Sequence, residues 1–133
     1  MTASKNLSEF FRWFVFLSYC LLLYVAYTLP GNQIPPAVGR ANDKVLHFFN
    51  FLLLALLAFR TLARSSVALL NLKAEMLSSG FSLFYGTFLE WAQRSVPGRE
   101  MSFLDWLADT VGVLAAVATF RTSEFPRKSF PNP

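Results

Sequence analysis

Residues 43–63 read DKVLHFFNFLLLALLAFRTLA. A bilayer-spanning helix needs about 20 mostly apolar residues, and the run 45–63 supplies them. Its polar residues stand at one end, where Asp43, His47 and Asn50 are spaced by four and three. That spacing puts them on one helical face. A charged group at the bilayer centre costs about 2.5–3.5 kcal/mol on insertion scales, so such groups face protein or a wet cavity. This stretch therefore predicts a membrane helix with a polar stripe turned toward neighbouring helices.

Three further apolar runs flank it, at 10–29, 74–92 and 102–120. Glu90 and Gln93 close the third run in chain order, and Ser102, Asp105 and Asp109 open the fourth. If the runs alternate in direction, all three polar stripes meet at one membrane surface. With a rise of about 1.5 Å per residue, Asp109 lies roughly 10 Å below Ser102, deep enough to need a partner. Lys44, Arg94 and Arg99 are the nearby cations. Arg99 is expected to bridge the third and fourth helices through a carboxylate, and Glu90 to pair with Arg99 or Lys44.

The rest of the composition agrees. The chain has 133 residues, of which 54% are hydrophobic and only 15% charged, against roughly 25% charged in soluble domains. Four spans leave no room for a soluble domain, so residues 1–133 read as one all-α integral membrane bundle of four transmembrane helices. The net charge of +4 comes from basic residues between the apolar runs. They serve as orientation charges, and no nucleic-acid partner is expected. With the N-terminus inside, Lys5, Arg12, Arg60, Arg64, Lys73, Arg121, Arg127 and Lys128 are cytoplasmic, eight against the four of Arg40, Lys44, Arg94 and Arg99. That bias predicts both termini in the cytoplasm and the polar cluster at the outer face. Cys20 is the single cysteine and lies within the first apolar run, so no internal disulfide forms. Lys5 and Arg12 precede that run like a signal sequence, but it is too long for an h-region and reads as an uncleaved anchor.

Locally, Asp43 stands as an N-cap for the second helix and Ser102 as a cap for the fourth, with Asp105 at its third helical position. Pro30, Gly31, Pro35, Pro36 and Gly39 mark residues 30–42 as an irregular loop. Ser78, Ser79, Gly80, Ser82 and Gly86 make the third helix a candidate for the most enclosed one, and Gly112, Ala115, Ala116 and Ala118 give the fourth a slim face. Trp13, Trp91 and Trp106 fit an interfacial belt.

The same residues carry a resemblance. Asp43, Lys44 and His47, then Tyr85, Gly86, Glu90, Gln93, Pro97, Gly98 and Arg99, then Ser102, Asp105 and Gly112 resemble in order and spacing the three motifs of the VanZ-like membrane proteins. The resemblance runs from about Thr28 to Ala116. Asp109 departs from it, standing where the family more often has asparagine, and Ala115 and Ala116 occupy a region where a second glycine is common. The resemblance implies a multi-pass protein of the bacterial inner membrane, in a family whose founding member is associated with resistance to the glycopeptide antibiotic teicoplanin.

Three functions compete at this stage. The first is an envelope protein without enzymatic activity, which binds an amphiphile at its outer face: a lipid-linked cell-wall precursor or a lipoglycopeptide. Its candidate ligand-binding residues are Lys44, His47, Asn50, Glu90, Gln93, Arg99, Asp105 and Asp109. A phosphate held by Arg40, Lys44, Arg94 and Arg99 would fit that picture. The second is a membrane-embedded hydrolase or transferase acting on a phospholipid, with His47, Glu90, Asp105 and Asp109 as catalytic candidates. The third is structural: polar contacts between membrane helices contribute about 0.6 kcal/mol each on average, and several would hold a small bundle. His47 with those three acids also makes a set suited to a divalent cation. A histidine hydrogen-bonded to an acid across helices explains it more simply, and neither metal nor cofactor is expected. Membrane lipids are the expected surroundings, and the sequence is silent on oligomeric state.

Overall fold

The computed structural model describes residues 2–34 and 43–124. Four long helices dominate: α1 (Thr2–Thr28), α2 (Asp43–Leu62), α4 (Ala74–Gln93) and α5 (Phe103–Glu124). A short helix α3 (Ala68–Leu72) stands before α4, and a 3-10 turn (Gly31–Gln33) follows α1. No strand occurs among the described residues.

Three of the long helices contain stretches long and apolar enough to cross a membrane: Lys5–Thr28, Asp43–Leu62 and Phe103–Thr122. Helix α4 is equally long but carries Glu75, Ser78, Ser79, Ser82, Glu90 and Gln93, which lower its hydropathy. The expected all-α membrane architecture therefore holds with three qualifying helices. The expected boundaries shift most for α1, which starts well before its apolar run, and residues 65–73, between the second and third runs, contain α3. Arg40, most of the loop 30–42 and the tail from residue 125, with Arg127 and Lys128, lie outside the described residues.

The helices alternate in direction, as two sets of end contacts show. At one end, Arg12 near the start of α1 donates from Nη2 to the Arg64 carbonyl just past α2 at 2.9 Å. There too the Arg121 guanidinium of α5 pairs with Glu75 in the first turn of α4 at 2.7 Å. At the other end, the Gly31 amide after α1 donates to the Pro97 carbonyl after α4 at 3.2 Å. Gly98 beside it has φ +74°, a conformation that suits glycine.

Helix α2, and not the serine-rich α4, makes the most extensive contacts, above all with α5. The reason is Gly112. A Cβ there would run into the Phe48 carbonyl oxygen and come within 3.0 Å of the Leu52 amide nitrogen. Without a side chain, the two backbones meet. Lipid is as apolar as leucine, so association here rests on such close packing and not on apolar burial. Around this seam lies a core of Phe16, Leu23, Phe51, Leu54, Leu89, Val113, Ala116 and Phe120. Phe59 stacks on Phe120 with ring centroids 3.9 Å apart. Large side chains such as Phe10, Phe14, Leu17, Phe49, Phe84 and Trp91 point outward, as lipid-facing residues do.

Candidate functional site in the polar end of the bundle

Each buried stripe runs without a break from apolar core into polar residues. On α5 it passes from Phe120, Ala116, Val113 and Gly112 to Asp109 and Asp105. On α2 it passes from Ala58, Leu54 and Phe51 to His47, and on α4 from Gly86 to Glu90 and Gln93. The steps of three and four make these continuous faces. The packing that buries the core thus carries the ionisable residues into one volume.

His47, Glu90 and Asp109 meet there, at 3%, 1% and 2% exposure. The His47 Nδ1 lies 2.8 Å from Asp109 Oδ1, a hydrogen bond, and 3.8 Å from Glu90 Oε1. Glu90 Oε2 accepts the Ser102 amide at 3.1 Å, so Glu90 completes the start of α5 from the end of α4. Glu90 Oε1 and Asp109 Oδ2 have no hydrogen-bond partner. Gly86 leaves them room, since a Cβ at that position would stand 3.3 Å from Asp109 Oδ2 and 3.0 Å from the Phe51 ring.

A second layer lies nearer the surface. The Lys44 ammonium pairs with Asp105 at 3.0 Å, and the Asp105 amide donates to Ser102 Oγ at 3.4 Å. The expected Ser102 cap is therefore present, whereas Asp43 lies within the first turn of α2 and not ahead of it. The carboxylate of Asp43 comes within 4.0 Å of His47 Nε2. Both nitrogens of the imidazole thus face acids.

The expected cation pairings change. Lys44 takes Asp105 instead of Glu90. Arg99 forms no carboxylate pair among the described residues and donates to the Leu29 carbonyl at 3.4 Å and the Ala26 carbonyl at 3.2 Å. Those carbonyls belong to the end of α1, where a cation is favoured by the helix dipole. Arg94 is exposed. Asn50 looks toward α1, where the Tyr19 hydroxyl donates to its carbonyl at 3.3 Å. Trp91 faces outward, as a belt residue would, while Trp106 donates to Thr87 Oγ1 at 3.1 Å.

These residues border a cleft of about 630 Å³, lined by Asp43, His47, Asn50, Gln93, Arg99 and Asp105 with Tyr27, Gly31 and Glu100. Glu90 and Asp109 lie beneath this lining. Of the expected site residues, the structure brings His47, Glu90, Asp109, Lys44 and Asp105 into two linked layers and puts Asn50, Gln93 and Arg99 on the walls. It adds Tyr27, which the sequence reading missed. Tyr27 is 6% exposed, and its ring meets the His47 ring edge-on with centroids 4.8 Å apart. The spacing Tyr19, Leu23, Tyr27 on α1 held that signal, since it repeats every four residues.

A helical bundle with membrane-length apolar helices and a buried histidine–carboxylate cluster at one end defines a class: small membrane proteins with a buried polar cluster. The VanZ/LLP1 family profile matches residues 3–124, and the chain belongs to that family. The match takes in α1, which the motif resemblance alone had left out. No curated protein and no solved structure matches the chain.

Proposed function

We propose that this VanZ/LLP1 protein crosses the bacterial inner membrane four times, with both termini cytoplasmic, and binds the head of an amphiphile in the cleft at its outer end. The observation that supports this most is the cleft itself. A concavity of about 630 Å³ falls within the roughly 300–1,000 Å³ of small-molecule sites. It opens where four helix ends meet, beside outward-facing apolar side chains suited to an acyl chain.

Its charges favour one kind of head. Among the described lining residues, Asp43 and Glu100 stand beside a single cation, Arg99, while Asp105 is paired with Lys44, and Arg99 is engaged by backbone carbonyls. Such a wall suits amines, amides and sugar hydroxyls better than a bare phosphate. Of the two expected ligands, an acyl-bearing glycopeptide such as teicoplanin fits this balance better than a pyrophosphate-linked cell-wall precursor. Binding of a fluorescent teicoplanin to the protein in nanodiscs tests the reading. Saturable binding that Asp43→Lys abolishes is the expected result. Equal uptake by empty nanodiscs overturns it.

One observation favours a second reading, a hydrolase or transferase acting on a phospholipid through His47, Glu90, Asp105 and Asp109. With Nδ1 held by Asp109, the other His47 nitrogen faces Asp43, which lines the cleft, the arrangement of an oriented general base. Turnover of phospholipid by purified protein, lost in His47→Gln, is the result expected of it.

A further inference from the structure

We infer that His47, Glu90 and Asp109 bind one first-row divalent cation, of the manganese or zinc type, beneath the cleft. The sequence set this aside in favour of a hydrogen-bonded histidine; three features of the structure bring it back. The first is composition and distance. One ligand atom from each of the three residues lies within 4.8 Å of the other two. Small side-chain shifts bring them around one ion at the about 2.0–2.2 Å of zinc–nitrogen and zinc–carboxylate bonds. One imidazole with two carboxylates is a donor set for such ions.

The second feature is the pair of orphaned oxygens. Glu90 Oε1 and Asp109 Oδ2 are buried without a hydrogen bond, although their carboxylates are otherwise engaged by Ser102 and His47. A buried polar atom without a partner is costly, and two buried carboxylates facing one imidazole lack compensating charge. A divalent ion balances both. The third is access and discrimination. His47 lines the cleft, which gives an ion a route in. The neighbouring set Asp43, His47 and Asp105 has similar spacing, but the Lys44 ammonium already stands 3.0 Å from Asp105, and Asp43 is open to solvent. The cation therefore belongs in the lower layer. This proposal stands whichever ligand occupies the cleft.

The chain has a single histidine, which makes the test direct. The full protein, purified on a tag without histidine and stripped with EDTA, is placed in nanodiscs and titrated with Mn²⁺. Pulsed EPR is expected to show about one bound Mn²⁺ per chain, coupled to one imidazole nitrogen, and Zn²⁺ displaces it. Glu90→Gln and Asp109→Asn each weaken binding by at least the ~10–100-fold seen for lost metal-site partners, while Glu75→Gln at the opposite end leaves it unchanged. Mn²⁺ bound without nitrogen coupling, or no Mn²⁺ bound, overturns the proposal and leaves protons as the neutralising charge. So does equal binding by the Glu90→Gln/Asp109→Asn protein. The wild-type spectrum alone decides the matter if the variants fail to fold.

Discussion

The two ends of this bundle use the same residue types to opposite effect. At the end where α1 and α4 begin, Glu9 Oε1 accepts the Ser66 amide at 3.1 Å and both neighbouring serine hydroxyls, and Glu75 meets Arg121 in the open. Every one of these carboxylates has partners and contact with solvent. At the other end Glu90 and Asp109 are sealed from it, and each keeps an oxygen without a partner. One end is mainly ordinary caps and surface pairs, although Arg12 Nε is buried there without a partner. The other retains an uncompensated arrangement, which folding alone does not require. Local disagreement of this sort between a chain and good packing marks functional sites.

Substitutions at either end and at the seam between them probe that contrast, measured as unfolding in mixed micelles with EDTA present. The largest effect is expected for His47→Ala, which strips Asp109 of its hydrogen-bond partner and both buried acids of the imidazole they face. Breaking a buried pair from one side costs about 3–5 kcal/mol. A loss below about 1 kcal/mol would show that the acids need no partner, and the contrast would vanish. Gly112→Ala comes next, at about 1–3 kcal/mol for overpacking, because the added methyl meets the α2 backbone. It tests whether the shared seam holds both ends in place. The double change Glu90→Gln/Asp109→Asn sharpens the comparison from the other direction. Neutral amides remove the buried charge, so metal-free protein should be as stable as wild type or more so. Smallest of all is Arg121→Ala. Its partner ion pair is largely exposed, and such pairs contribute about 0–1 kcal/mol. If Arg121→Ala matched His47→Ala, the two ends would be energetically alike.

Much of the architecture was readable in advance because it depends on length and period. Runs of about 20 apolar residues mark membrane helices whatever they pack against. The spacings Asp43–His47–Asn50, Gly86–Glu90–Gln93 and Asp105–Asp109–Gly112 fix which face of each helix is polar. Helix α4 matches the other spans in length, but its serines, small enough for close packing, are also polar and lower its hydropathy. Tyr27 is harder to read because it lies in an apolar anchor-like run, where the four-residue spacing of Tyr19, Leu23 and Tyr27 is the mark of an inward face.

The sequence alone therefore determined the membrane class and the polar stripes, from apolar length and from periodicity along single helices; their gathering at one end follows once the helices alternate in direction. Only the tertiary structure decided who meets whom: Asp109 with His47, Lys44 with Asp105, Arg99 with the carbonyls closing α1. Those choices depend on the rotation and depth of each helix against its neighbours. Close approach at Gly112 and Gly86 sets both, and no spacing within one helix contains that information.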